Sequence, residues 1–257
     1  PWELRKTDGI DVLDAVGANI RIDTRGPEVL RILPRINEAV NEEWMADRGR
    51  FSFDGLKRRR LDRPWLRKDG RMVAASWAEA FAAIAAKFAA TPAERIGAVA
   101  GALADAESVL ALKDLMAAYG STNLDCRDDG AAIDAARPDF YRFNTGIAGI
   151  EDADALIIIG ADPRKEAPVL NARIRKRWAQ GGLPVGYIGP AGLDLTYEVA
   201  HLGEGPSAIT ALLDGSHAFA ATLKGAQKPM LILGRGALAR ADGAAVLASA
   251  WRLAAEA

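Results

Sequence analysis

Cysteine is almost missing from this chain: Cys126 stands alone among 257 residues. An internal disulfide is thereby excluded, and a lone thiol suits a reducing compartment. Histidine is nearly as scarce. His201 and His217, even with Cys126, are too few for a convincing zinc site. Charge of one sign is also lacking, because 33 basic residues meet 34 acidic ones. Nothing in that balance draws the chain to nucleic acid or to anionic lipid. No apolar run approaches the roughly 20 residues of a membrane-spanning helix, so direct membrane insertion is not expected. No stretch reads as a secretory leader.

What is present is a globular composition, half hydrophobic and 26% charged. The length suits one large domain, or a large one with a small one. The chain opens Pro1-Trp2 without Met. It reads as the interior of a protein and is expected to be a segment of a longer polypeptide.

Two regions differ in pattern. In residues 1–52, Asn19 to Asp23 alternates as a half-buried strand, Arg25-Gly26-Pro27 turns, and Val29 to Leu33 returns. This predicts a small β-rich lobe. Asn37 to Asp47 reads as loop or short helix, and Phe51 to Gly70, with Lys57-Arg58-Arg59-Arg60, as a solvated connector. Residues 53–257 become an α/β alternation. Strands are expected at Ile96–Gly101, Ala155–Gly160, Val185–Gly189 and Met230–Gly234. Helices are expected from Ser76 (a capping-box start) to Ala90, at Asp105–Tyr119, Ala167–Gln180, Ser207–Leu213 and Asp242–Ala255. The fold class is α/β, a mostly parallel sheet with helices on both faces.

Few segments could carry chemistry. The strand ending Ile159-Gly160-Ala161-Asp162-Pro163 feeds a turn and then a helix, the place where open α/β sheets bind ligands. Gly160, Asp162 and Arg164 are the candidates there. The plainer expectation is Asp162 as an N-cap and Pro163 as the first helical residue. Gly234-Arg235-Gly236 lacks the full phosphate-loop spacing and reads as a tight turn. Arg173 to Arg177 is a basic stripe, expected on a solvated helix face. Cys126 is expected to be quiet and partly buried, and the histidines to be surface or cap residues. Glu94, Asp105, Glu107, Asp114, Asp128 and Asp129 single out no catalytic pair.

One frame stands out. Asp11, Asp14, Ala18 and Ala46 are separated by 2, 3 and 27 residues. In a cluster-bearing redox protein that spacing reads Cys at all four places. Thiolates are the usual ligands of iron–sulfur clusters, so no cluster forms here in the usual way, and no catalytic or metal-binding residue is expected.

Arg60 to Gly70, followed by Ser76-Trp77-Ala78-Glu79-Ala80, resembles the entry to the molybdopterin oxidoreductase fold. Ala153-Asp154-Ala155, Ile159 to Arg164, Ala167-Pro168 and Arg173 are similar to that family's first strand–loop–helix. Trp2-Glu3, Arg5-Lys6-Thr7, Ile32 to Arg35, Asn41 to Trp44 and Asp54 to Arg58 resemble one branch, the large iron–sulfur subunits of respiratory complex I. The resemblance spans nearly the whole chain. It implies that the opening frame corresponds to a 4Fe–4S lobe without its ligands, and that no cofactor is held in this segment. It implies 2Fe–2S and 4Fe–4S clusters in the upstream part of the parent chain. It also implies other complex I subunits of the peripheral arm as partners, on the cytoplasmic side of a bacterial inner membrane or the equivalent matrix side. Two other readings stay open. One is an active molybdopterin-dependent fragment, for which Cys126 is the only thiol candidate; the other is a nucleotide- or pterin-binding domain using the loop after Ile159.

Overall fold

A computed structural model describes residues 2–126 and 129–256. The chain divides into two compact units, residues 1–53 with 129–257, and residues 54–128.

The first unit opens with an antiparallel sheet of β1 (Arg5–Ile10), β2 (Asn19–Arg25) and β3 (Glu28–Pro34), in that order. The hairpin of β2 and β3 closes at Arg25↔Glu28, as its turn signal predicts. Strand β1 carries no such signal, since Arg5, Lys6, Thr7 and Asp8 are all exposed. Its backbone pairing with β2 makes it a strand. Ala18, Ile20, Ile32 and Met45 form the lobe's core. Asp23, wholly buried, accepts from Arg21 at 2.8 Å and Arg31 at 2.7 Å. A short helix, α1 (Asp47–Phe51), follows.

The second unit begins in the stretch read as a connector. There β4 (Trp65–Lys68) and β5 (Arg71–Ala74) form a hairpin. Asp69 and Gly70 both take positive φ, 49° and 76°, as a tight two-residue turn requires. Helix α2 (Trp77–Ala89) starts with the expected capping box: Glu79 N–H donates to Ser76 Oγ, and Ser76 N–H to Glu79 Oε2. Helix α3 (Ala106–Ala118) is capped by Asp105, which accepts from Ser108 N–H at 2.7 Å. Between them β6 is only Ala98–Val99, shorter than its apolar run, because its parallel partner β7 (Leu124–Asp125) offers two residues.

The first unit resumes with a four-stranded parallel sheet. Strand β8 (Ala155–Ile159) leads to the single turn α4 (Pro163–Glu166), then α5 (Pro168–Ala179) and β9 (Val185–Ile188). Strand β10 (Ala200–Gly203) and helices α6 (Pro206–Leu213) and α7 (Phe219–Gly225) come next. Strand β11 (Pro229–Leu233), the turn α8 (Arg235–Leu238) and α9 (Gly243–Glu256) close the chain. The sheet order is β10-β9-β8-β11, and every pairing is parallel. Strand β8 is buried along its whole length and alternates between two cores. Leu156 and Ile158 meet Leu170 and Ile174 of α5. Ile157 and Ile159 meet Ile209 of α6, Phe219 of α7 and Val246 of α9. Helices therefore cover both faces, which is why the strands read as continuous apolar runs.

Candidate functional site

The four frame positions are all buried, with Asp11 and Asp14 each 3% exposed. Asp11 donates its backbone N–H to Ala18 O at 2.8 Å. One side-chain oxygen, Oδ1, accepts from Leu13 N–H at 3.0 Å. The other, Oδ2, has no hydrogen-bond partner and lies against Gly49, where a Cβ would sit 1.9 Å away. Gly49 belongs to α1, whose N-cap is Ala46. Asp11 thus bonds Ala18 directly and touches the helix that Ala46 caps.

Their chemistry does not suit an iron–sulfur cluster. Two methyl groups offer no donor, and Asp14 uses both carboxylate oxygens elsewhere. Oδ1 accepts from Val16 N–H at 3.0 Å, and Oδ2 from Val169 N–H at 3.2 Å. Val169 is the second residue of α5, so Asp14 caps a helix of the α/β layer from the lobe. Burial pushes the Asp14 carboxyl above its ordinary range, the two N–H groups pull it down, and the charge of Asp11 raises it further. Among the described residues no three His, Cys, Asp or Glu side chains are gathered as metal ligands.

The same helix corrects a second expectation. Arg173 is not solvated; it is 3% exposed. It donates to Glu38 O at 2.5 Å and pairs with Glu151 at 3.3 Å and Glu42 at 3.6 Å. Lys176 joins Glu42 and Glu151. The Lys176 hydrogen bond, with the nearby Arg173 charge, holds the Glu42 carboxyl below its ordinary range. Arg175 donates to Thr196 O, and Arg177 to Gly181 O. One end of the basic stripe is therefore an ionic seam to the lobe.

The other candidate lies at the carboxyl ends of the parallel strands. A cleft of about 430 Å³ is bordered by Gly160, Asp162, Glu166, Tyr187, Glu204 and Arg240. Gly160 takes φ +58°. A Cβ on Gly234 would meet Gly160 O at 2.2 Å, so the glycines after β8 and β11 allow two turns to touch. Asp162 does stand at the N-cap of α4 with Pro163 first, but its side chain makes no cap. Instead Asp162 Oδ2 pairs with Lys165 at 3.0 Å, Oδ1 is buried without a partner, and Asp162 N–H donates to Glu166 Oε1 at 2.6 Å. Arg164 turns elsewhere, to Asp194. Arg240, a cation on this rim, is held by both oxygens of Asp242. With Asp162, Glu166 and Glu204 around it, the cleft does not fit the phosphates of a pterin dinucleotide.

Cys126 is exposed, not partly buried, and Asp128 lies outside the described residues. His217 Nδ1 accepts from Phe219 N–H at the start of α7, and His201 Nε2 meets Gly189 O at 2.8 Å. Sequence reasoning missed Asn41 and Glu42. Asn41 is wholly buried. It accepts from Asn19 N–H and donates to Arg35 O and Trp44 O, fixing the loop that carries Glu42. Nothing in local periodicity marks either residue.

Comparison with known proteins adds a lineage. The molybdopterin oxidoreductase family model matches residues 60–256. The model of the NADH-ubiquinone oxidoreductase NDSU1/NuoG-like 4Fe-4S domain matches residues 4–54. The chain is 47% identical over 249 residues to NADH dehydrogenase (ubiquinone) iron-sulfur protein 1, mitochondrial, of Solanum tuberosum, covering 96% of this chain and 34% of the relative. It is 47% identical over 255 residues to a NADH-quinone oxidoreductase subunit of Rickettsia felis, the one designated G, covering 99% and 38%. For the corresponding protein of Rickettsia conorii the identity is 48% over 246 residues, covering 96% and 36%. The chain thus spans about a third of the length of these relatives.

Proposed function

The chain belongs to the molybdopterin oxidoreductase family, and on that premise we propose that it is a structural segment of the large iron–sulfur subunit of an NADH:quinone oxidoreductase. The parent complex passes electrons from NADH through FMN and iron–sulfur clusters to quinone, coupled to proton translocation. In this reading 2Fe–2S and 4Fe–4S clusters lie in the upstream part of the parent chain. The segment packs beside them with other subunits of the peripheral arm, on the cytoplasmic side of a bacterial inner membrane or the matrix side. Residues 1–52 act as a lobe that has given up cluster binding, and 53–257 as an oxidoreductase-type layer without its cofactor.

One observation carries this reading. A frame position that would hold a thiolate holds Asp14, and both its oxygens are engaged by backbone N–H groups, one of them on α5. An electron carrier has no ligand there, whereas a scaffold has a fastening. The names of the relatives support the assignment to this subunit.

The test uses the intact complex. Replacing Asp11 and Asp14 by Asn is expected to leave the NADH-reduced cluster spectrum and the NADH-to-quinone rate unchanged once the complex is assembled. Loss of one cluster signal from an assembled complex would contradict the scaffold reading.

A further inference from the structure

Asp11 and Asp14 are both buried, and among the described residues neither meets a cation. Three of their four side-chain oxygens accept only backbone N–H groups, from Leu13, Val16 and Val169, and Asp11 Oδ2 accepts none. Helix α5 meanwhile has no cap of its own. Its N-cap is Ala167, and its first residue, Pro168, has no N–H. Val169 is therefore its first free donor, and the lobe supplies the acceptor. Beside it, Ala15 N–H donates to Glu166 O at 3.1 Å.

We propose that the abandoned ligand frame has become a proton-responsive joint, in which Asp14 fastens the lobe to the start of α5 and its charge state sets how firmly. This rests on the structural reading of the frame given above. A carboxylate buried beside another carboxylate, with no counter-cation, is costly to ionise. A protonated carboxyl still has oxygens to accept from Val16 and Val169, so proton uptake removes the charge and keeps the cap. Few other groups bear on the balance. Asp11 is the one charged side chain acting on Asp14. The first turn of α5 carries no acid and presents the positive end of a helix. Glu166 gives this joint only its carbonyl.

The sign follows from burial, which raises Asp14 in the docked state. The docked state then binds a proton that the released state lets go. Docking is firmest at pH below the released carboxyl's ordinary value. It weakens as pH rises through the docked value and is level above it.

Hydrogen exchange of the intact chain, followed by mass spectrometry over residues 167–173, reads this directly. Rates are converted to protection factors, which removes the intrinsic pH dependence of exchange. The joint predicts that protection is lost between pH about 4, near the released carboxyl's ordinary value, and pH about 7. Asp14→Asn keeps an acceptor but cannot ionise. It is expected to show equal protection at both pH values and at least the wild-type level at pH about 7. Asp14→Ala, lacking an acceptor, should fall below both. Equal wild-type protection at the two pH values would overturn the joint even if no variant folds, and so would an Asp14→Asn protein that keeps the pH dependence. Stoichiometric iron bound to the wild-type 257-residue segment would overturn the scaffold reading as well; an iron-free segment with pH-independent protection overturns the joint alone.

Discussion

Asp14 and Val169 stand 155 positions apart and share one buried hydrogen bond, from the Val169 amide to the Asp14 carboxylate at 3.2 Å. That bond joins the β-rich lobe to the first turn of α5. An ionic seam adds to the same junction: Glu42 and the carbonyl of Glu38 from the lobe, Arg173 and Lys176 from the helix, and Glu151 beside them. A lobe whose four frame positions carry no thiol is held here by a helix cap and an ionic seam.

Removing the cation at the centre of that seam should be severe. Arg173 is 3% exposed, so Arg173→Ala leaves Glu42, Glu151 and the Glu38 carbonyl short of their shared donor. Losing this buried donor while Lys176 still pairs with Glu42 and Glu151 costs roughly 1–3 kcal/mol. Urea unfolding of the wild type and the variant measures this. A loss below about 1 kcal/mol would show that the seam contributes no more than an exposed pair.

Acid should release the same seam. Glu42 is held below its ordinary range, first by its Lys176 hydrogen bond and then by the Arg173 charge. A carboxyl depressed in the folded state contributes stability above its unfolded pKa, and that stability is lost as pH falls through the folded value. Glu42→Gln should therefore be the less stable protein near pH 7, and the gap to wild type should close on acidification toward pH about 3. A gap that widens on acidification would show that Glu42 is not stabilised as the anion.

Gly49 tests how tightly the frame is packed. A Cβ there would lie 1.9 Å from Asp11 Oδ2, and that side chain is already fixed through Leu13. Gly49→Ala is expected to cost about 1–3 kcal/mol through overpacking. Adding Asp11→Ala should restore part of the loss, because the two residues are in contact and cannot act independently. Strictly additive effects in thermal unfolding would mean that the carboxylate and the glycine do not compete for the same space.

The parallel sheet was legible where burial on both faces wrote itself as apolar sequence. Leu156-Ile157-Ile158-Ile159 is a strand, Val185 to Ile188 is another, and Ser76 with Glu79 made the start of α2 readable. Strands β1 and β10 were not legible, because pairing defines them more than side chains do. Of Ala200-His201-Leu202-Gly203 only Leu202 is buried. The basic stripe on α5 misled for a related reason. Lys176 meets Glu42 across 134 positions, and no window of sequence shows that an arginine one turn away will be buried among acids. The spacing of Asp11, Asp14, Ala18 and Ala46 is visible in the sequence alone. The cap that Asp14 provides could not, since it depends on a helix that the chain reaches only at Pro168.

Iron content tests the central claim most directly. The 257-residue segment, purified under anaerobic conditions and given every chance to assemble a cluster, is analysed for iron, molybdenum and oxidised pterin against protein concentration. A structural segment held by Asp14 and Arg173 is expected to carry none of the three in stoichiometric amount. Iron and acid-labile sulfide matching one 4Fe–4S cluster per chain would contradict it, because a cluster would then be bound by a frame that offers two carboxylates, two methyl groups and no thiol.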